Sequence, residues 1–191
     1  MGALDGKRVA ILATDGVEEV ELTKPRKAVE DAGATTEIVS ISEDAIQSMN
    51  SDISPSGVYP VDKLASQVSA SDYDALIMPG GTVNADRLRM DQDVLTFVKD
   101  VFAAGKPVGV ICHGPWTLVE ADLVKGRTLT SFPSLRTDIR NAGGNPVDEE
   151  VVTDQGLVSS RNPGDLEAFC AKIVEEFAEG GHSVHPEGAT A

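Results

Sequence analysis

The stretch Val108-Gly109-Val110-Ile111-Cys112-His113-Gly114-Pro115-Trp116 decides how this chain folds. Its β-branched apolar run reads as a strand buried on both faces, and the Gly-Pro that follows ends the strand and opens a helix. Cys112 therefore stands at a sharp strand-to-helix turn, the setting in which a G-x-S-x-G elbow lifts a serine clear of its sheet. A helix start beside the sulfur supplies unpaired N–H groups and the positive end of a dipole. That predicts a Cys112 pKa well below the free-cysteine value of roughly 8.5. The competing reading is a packed core thiol, since cysteine is among the most buried residue types. The His-Gly-Pro after it favours a candidate nucleophile.

Working outward, Ala75-Leu76-Ile77-Met78 reads as a second buried strand, closed by Pro79-Gly80-Gly81, where two glycines permit positive φ and close approach of N–H groups to a ligand. Asn84 to Arg89 fits a helical turn. Asp91 then caps a helix with Val94, Leu95, Val98, Val101 and Phe102 on its apolar face. Lys7 to Ala13 forms a first strand, Thr14-Asp15-Gly16 a turn, and the acidic Val17 to Leu22 precedes a helix capped by Thr23 with Pro25 in its first turn. With a strand over Thr35 to Ile41 this makes a right-handed βαβ unit. Glu43 to Gln67, interrupted by Pro55, Gly57 and Pro60, reads as a hairpin or extended excursion at the sheet edge.

Beyond the elbow, Trp116 to Leu123 is helical, Thr128 to Thr130 a short strand, and Ser134 caps a helix that stops at Gly143-Gly144. Val151 to Thr153 and Leu157 to Ser160 form a hairpin around Asp154-Gln155-Gly156. Asp165 begins the last helix, on which Cys170, beside Phe169, reads as core filler. The sum is one domain over residues 1–179, a doubly wound α/β sandwich with a mostly parallel sheet and ligands at the strand C-terminal ends. Residues 180–191 have no apolar pattern and are expected to form a disordered tail.

Composition narrows the function. The 191 residues, 41% hydrophobic, fit one core, and a formal charge of −15 would repel nucleic acid and anionic membranes. No run approaches the roughly 18 apolar residues of a membrane span, and Met1 to Arg8 has no signal core, so a cytoplasmic protein is expected. Two cysteines make no disulfide framework. The three histidines, His113, His182 and His185, make no convincing metal site, and Gly80-Gly81 lacks the continuation of a nucleotide loop. No metal and no cofactor are expected.

Three loops converge at the strand ends of such a fold: Glu18 to Glu21, Gly80-Gly81 and Cys112-His113. Glu18 and Glu21 read either as a solvated helix start or as partners of the sulfur. A glutamate that donates to a thiolate must keep its proton, which burial beside an anion favours. At a turn His113 can border the same pocket as Cys112 and hydrogen-bond to it.

Glu18-Glu19-Val20-Glu21-Leu22, Pro79-Gly80-Gly81, Ile111-Cys112-His113-Gly114-Pro115, Thr130-Ser131-Phe132-Pro133 and Ser159-Ser160-Arg161-Asn162-Pro163-Gly164-Asp165-Leu166 together resemble the PfpI/ThiJ family, within the class I glutamine amidotransferase-like superfamily. The likeness runs from about Lys7 to Phe177 and leans to the bacterial general-stress and PfpI-type members. It implies a flavodoxin-like three-layer sandwich with a nucleophile elbow, a homodimer or larger assembly, and a glutamate matching Glu21 hydrogen-bonded to Cys112. It also implies an oxyanion site from the N–H groups of Gly81 and His113, with Gly80, Glu18 and Phe132 around the pocket. The acid that orients His113 comes, by the same resemblance, from a neighbouring subunit and maps to Asp86. The archaeal protease members carry Glu there and a tyrosine in place of Phe132. Glutamine amidotransfer is disfavoured, because the chain has no histidine between His113 and His182.

The resemblance thus implies a cofactor-independent cysteine enzyme. Its substrates would be peptides, or reactive aldehydes such as methylglyoxal and their protein adducts. The rival is an oxidation-sensing or chaperone-like stress protein in which Cys112 is the redox sensor.

Overall fold

Arg8–Leu12 forms β1, and its alternation is buried on both sides: Val9 and Ile11 join one core cluster, Ala10 and Leu12 the other. In this computed structural model, which describes residues 2–181, β1 lies near the middle of a seven-stranded sheet. β2 (Val17–Glu18) leads directly into α1 (Glu19–Asp31), followed by β3 (Thr35–Ser40), β4 (Ala45–Asn50), β5 (Ser54–Pro60) and β6 (Lys63–Leu64). Next come β7 (Ala75–Met78), α2 (Thr82–Leu88), α3 (Gln92–Ala103), β8 (Val108–Ile111) and α4 (Pro115–Glu120). The chain continues through β9 (Thr128–Leu129), α5 (Arg136–Asn141), β10 (Asn145–Pro146), β11 (Val151–Asp154), β12 (Leu157–Ser160) and α6 (Leu166–Glu179).

The sheet order is β11-β12-β8-β7-β1-β3-β6, with β11 antiparallel to β12 and every other pairing parallel. One face packs Val29 of α1 and Phe169, Ile173 and Phe177 of α6 against Ile11, Ile77 and Ile111. The opposite face packs Val94 and Val98 of α3, Leu118 of α4 and Ile139 of α5 against Leu12, Leu76 and Val110. This is the expected three-layer α/β sandwich. Its parallel strands need both faces covered because neither face carries polar side chains to water.

Several expectations are corrected locally. Helix α1 begins at Glu19, not after Thr23, whose hydroxyl instead donates back to the Glu19 carbonyl at 3.0 Å. Pro25 therefore lies inside the helix, and Glu21 falls in its buried first turn. The hairpin expected in the 43–67 stretch exists, but β4 and β5 join β2 in a separate three-stranded sheet, and only Lys63–Leu64 reaches the edge of the main one. Ser134 caps no helix; it sits in a 3-10 turn, Pro133–Leu135, ahead of α5. Cys170 packs against the core from a half-buried position on α6. The tail expected at 180–191, with His182 and His185, lies outside the described residues except for Gly180 and Gly181. Among the described residues no helix is long and apolar enough to cross a membrane.

Candidate active site

The C-terminal end of β8 places Cys112 at φ +62, a left-handed conformation costing a residue with a Cβ on the order of 1–3 kcal/mol. The backbone around it is over-determined. Cys112 N–H donates to Ser160 O at 3.1 Å and its carbonyl accepts Phe132 N–H at 2.9 Å, tying the elbow to β12 and to the loop after β9. Cys112 is 6% exposed and lines a cavity of about 250 Å³ together with Glu18, Glu21, Ser51, Asp52, Gly81, Phe132 and Pro163.

Three glutamates of one short segment take three separate tasks. Glu18 accepts the N–H groups of Ser51 at 3.0 Å and Asp52 at 3.1 Å, holding a turn in which both residues have positive φ. Glu19 faces the hairpin and accepts Gly57 N–H and Tyr59 O–H, each at 2.8 Å, and Ser56 O–H at 2.5 Å. These bonds, the Ser56 hydroxyl first, hold its carboxyl below the usual carboxylate range. Glu21 turns to the sulfur. It is fully buried, its Oε2 accepts Gly80 N–H at 2.7 Å, and the Cys112 thiol is the polar side chain beside it. Among the described residues its Oε1 has no partner of full hydrogen-bond geometry.

Burial raises Glu21 to about 8, against the opposing pull of the Gly80 N–H. Burial and the neighbouring Glu21 carboxylate likewise push the Cys112 thiol up, while the N–H groups of Gly81 and His113 at the sulfur pull it down. The pair therefore carries no more than one negative charge through the neutral range. The low thiol pKa expected from the elbow alone is corrected on this point. Burial of the sulfur and the Glu21 carboxyl at its side outweigh the N–H groups, and α4 has only six residues to offer a dipole.

Gly80 and Gly81 are required where they stand. A Cβ on Gly80 would collide with Glu21 Oε2 and Cys112 Cβ, and Gly81, at φ +93, would drive one into Gly16 O. Asn84 fixes this turn: its Nδ2 donates to the carbonyls of Pro79 (3.2 Å) and Gly80 (3.0 Å), and its Oδ1 accepts Thr14 N–H at 2.8 Å. With those carbonyls pinned outward, the next N–H groups face the glutamate and the sulfur.

His113 is buried, with Nδ1 3.2 Å from Cys112 Sγ. Its ring stacks on Phe132, with centroids 4.5 Å apart, and meets Trp116 edge-on at 5.7 Å. Nε2 lies 3.4 Å from both Thr82 Oγ1 and Ser134 Oγ. Burial lowers its pKa, partly offset by Asp52, which favours the neutral ring. Of the residues singled out from sequence, the structure brings together Glu18, Glu21, Gly80, Gly81, Cys112, His113 and Phe132. Asp86 is not among them: it is exposed on α2 and makes no hydrogen bond or ion pair with the described residues of its own subunit. Asp52, Thr82, Asn84 and Ser134 drew no reading as site residues, because the first sits in an irregular stretch and the others carry common side chains without a motif.

Comparison with known proteins places the chain in a family. Residues 7–176 match the model of the DJ-1/PfpI family. The chain belongs to that family. A Bacillus subtilis protein named "Putative cysteine protease YraA" is 43% identical over 163 residues, covering 85% of this chain and 94% of that one. "Protein/nucleic acid deglycase 2" of Escherichia coli is 40% identical over 164 residues, covering 85% and 93%. Among solved structures, a two-domain protein with DJ-1/ThiJ/PfpI-like and ferritin-like domains from Anabaena variabilis superposes with a TM-score of 0.84 at 31% identity. That alignment takes in 97% of this chain and 52% of the other. In the DJ-1/PfpI family, then, one relative carries a protease name and another a deglycase name.

Proposed function

We propose that this DJ-1/PfpI protein is a cofactor-independent cysteine enzyme acting on small reactive aldehydes or their adducts with protein side chains, as a glyoxalase or deglycase. The observation that carries this reading is the placement of a strained cysteine, with an imidazole nitrogen 3.2 Å from its sulfur, in the lining of a cavity of about 250 Å³. Ligand pockets run from roughly 300 to 1,000 Å³, so this one suits a few-carbon electrophile better than an extended peptide. Peptide hydrolysis, the other activity found in the names of relatives, is the less favoured form of the same chemistry.

In the proposed reaction the sulfur bonds to the carbonyl carbon, the C=O π pair moves to oxygen, and the thiol proton passes to His113 Nδ1. The N–H groups of Gly81 and His113, already turned to the sulfur, are the donors available to the new oxyanion. Glu21 keeps its proton up to about pH 8 and can return one to substrate. For an α-oxoaldehyde, oxidation of the aldehyde carbon and reduction of the ketone carbon balance internally with one water, so the chemistry calls for no external redox cofactor.

A second reading rests on Glu21: a protonated carboxyl beside the sulfur would donate to a sulfinate oxygen and stabilise oxidised Cys112. We also place the protein in the cytoplasm as a homodimer or larger assembly, in which Asp86 is offered to a second copy. The test is a panel of methylglyoxal, its adducts with N-acetylcysteine and N-acetylarginine, and fluorogenic peptides, run beside intact mass after mild peroxide. Turnover of the aldehyde or its adducts is expected. No turnover of any member, with a clean gain of two oxygens at Cys112, would favour the sensor instead.

A further inference from the structure

The turn between β4 and β5 presents Asp52 to one residue, Thr82. Asp52 Oδ1 accepts the Thr82 N–H at 2.9 Å and Oδ2 accepts the Thr82 hydroxyl at 2.8 Å. A threonine hydroxyl has a single proton, and here it is committed to Asp52. Towards His113 Nε2, 3.4 Å away, Thr82 Oγ1 therefore offers only lone pairs. A hydrogen bond across that gap requires the imidazole proton to be on Nε2. Nδ1 of the neutral ring is then bare, and Nδ1 is the nitrogen 3.2 Å from Cys112 Sγ.

We infer that Asp52, acting through Thr82, holds His113 as its Nε2–H tautomer and so makes Nδ1 the base that receives the Cys112 proton. This rests on the reading of Cys112 and His113 as nucleophile and base. Asp52 is a positioning residue: it touches neither sulfur nor substrate. When the S–H bond breaks and Nδ1–H forms, the imidazolium presents Nε2–H to Thr82 with the Asp52 carboxylate behind it, the logic of a triad with one hydroxyl inserted. The separation of 3.4 Å lies at the long end of hydrogen-bonding distance.

The other groups around the ring do not set its tautomer. Ser134 Oγ, also 3.4 Å from Nε2, has no carboxylate holding its proton and can donate or accept. The rings of Phe132 and Trp116 pack against the imidazole and carry no charge. The titratable groups that bear on it are Cys112 from its own turn and Asp52 from the hairpin. Ser51 and Asp52, at φ 54 and 63, are kept in their turn by Glu18, so the carboxylate is delivered by a built element. The subunit thus has its own acid behind His113, where the family resemblance implied one from a neighbour.

The experiment compares the parent with Asp52→Asn, Thr82→Val, the double variant Asp52→Asn with Thr82→Val, Thr82→Ser and Asp86→Asn. Three readouts are used: the His113 tautomer by nitrogen-15 NMR of the full chain, the pH profile of Cys112 alkylation by iodoacetamide, and methylglyoxal turnover. Alkylation is followed on the Cys112 peptide, so that Cys170 does not contribute. The parent should show Nε2–H. Asn at 52 can donate to Thr82 Oγ1 and turn the hydroxyl proton towards Nε2, which should move the ring to Nδ1–H. Asp52→Asn and Thr82→Val should each lower kcat roughly 10- to 1,000-fold with KM nearly unchanged. The double variant should be no worse than either single one, and Thr82→Ser should recover most of the loss. An Nδ1–H parent, an Asp52→Asn protein with parental tautomer and alkylation profile, or a tautomer change in Asp86→Asn alone would overturn the inference. If the parent consumes no methylglyoxal, the enzymatic reading is what fails, and the tautomer and alkylation data still decide this one.

Discussion

At the residue scale, the site is a balance between one buried acid and one buried thiol. Glu21 was legible as a member of an acidic segment facing the elbow, and so were Cys112 and His113, because motif and position coincide there. Which of Glu18, Glu19 and Glu21 turns to the sulfur was legible only through the family resemblance, which pointed to Glu21; local residue chemistry did not choose among them. The choice depends on α1 beginning at Glu19 and on hairpin amides that capture the other two. The raised pKa of Glu21 carries a stability prediction. A folded-state value near 8 against an ordinary 4.5 means the native protein holds a proton that the unfolded chain loses first. Stability should therefore be highest below pH 4.5 as far as this group is concerned, fall as pH rises from 4.5 to 8, and level off above. The total loss is up to about 5 kcal/mol. Urea unfolding of parent and Glu21→Gln across that range checks it. The variant should have the flatter profile and gain on the parent as pH rises. Its Cys112 should also alkylate at lower pH, since the charge opposing thiolate is gone; parallel profiles would contradict both expectations.

At the element scale, the β4–β5 hairpin is what the sequence concealed. Its prolines and glycine marked an excursion, but nothing in Met49-Asn50-Ser51-Asp52-Ile53 shows that the turn folds back over the elbow. That placement comes from long-range bonds to Glu18, Glu19 and Thr82. The parallel strands and the β11–β12 hairpin, by contrast, were legible because continuous apolar runs and a Gln-Gly turn are local signals. If the hairpin delivers Asp52 only because Glu18 holds its turn, then Glu18→Ala should cost about 1–3 kcal/mol of stability for the unpaired N–H groups. It should also reduce methylglyoxal turnover at least tenfold. Limited proteolysis should find a new cut near Ser51 to Ile53. Full activity with an intact hairpin would show that the turn holds itself.

At the scale of the whole molecule, the sandwich hides its apolar residues in two layers, yet leaves Ile53 81% and Met90 69% exposed. Single exposed apolar side chains are ordinary, so the expected oligomer must be measured. Sedimentation velocity should show a dimer or larger species, and Ile53→Glu should shift it towards monomer if that surface is shared. A monomer in the parent at micromolar concentration would end the proposal that Asp86 serves a second copy. The account as a whole stands on Cys112 as the nucleophile, and the most direct measurement is the initial rate of methylglyoxal consumption by the parent and by Cys112→Ser, with matched circular dichroism. Serine preserves the shape of the elbow and removes the thiol, so the rate should fall at least about a thousandfold. A Cys112→Ser protein that keeps more than about a tenth of the parental rate would contradict the account.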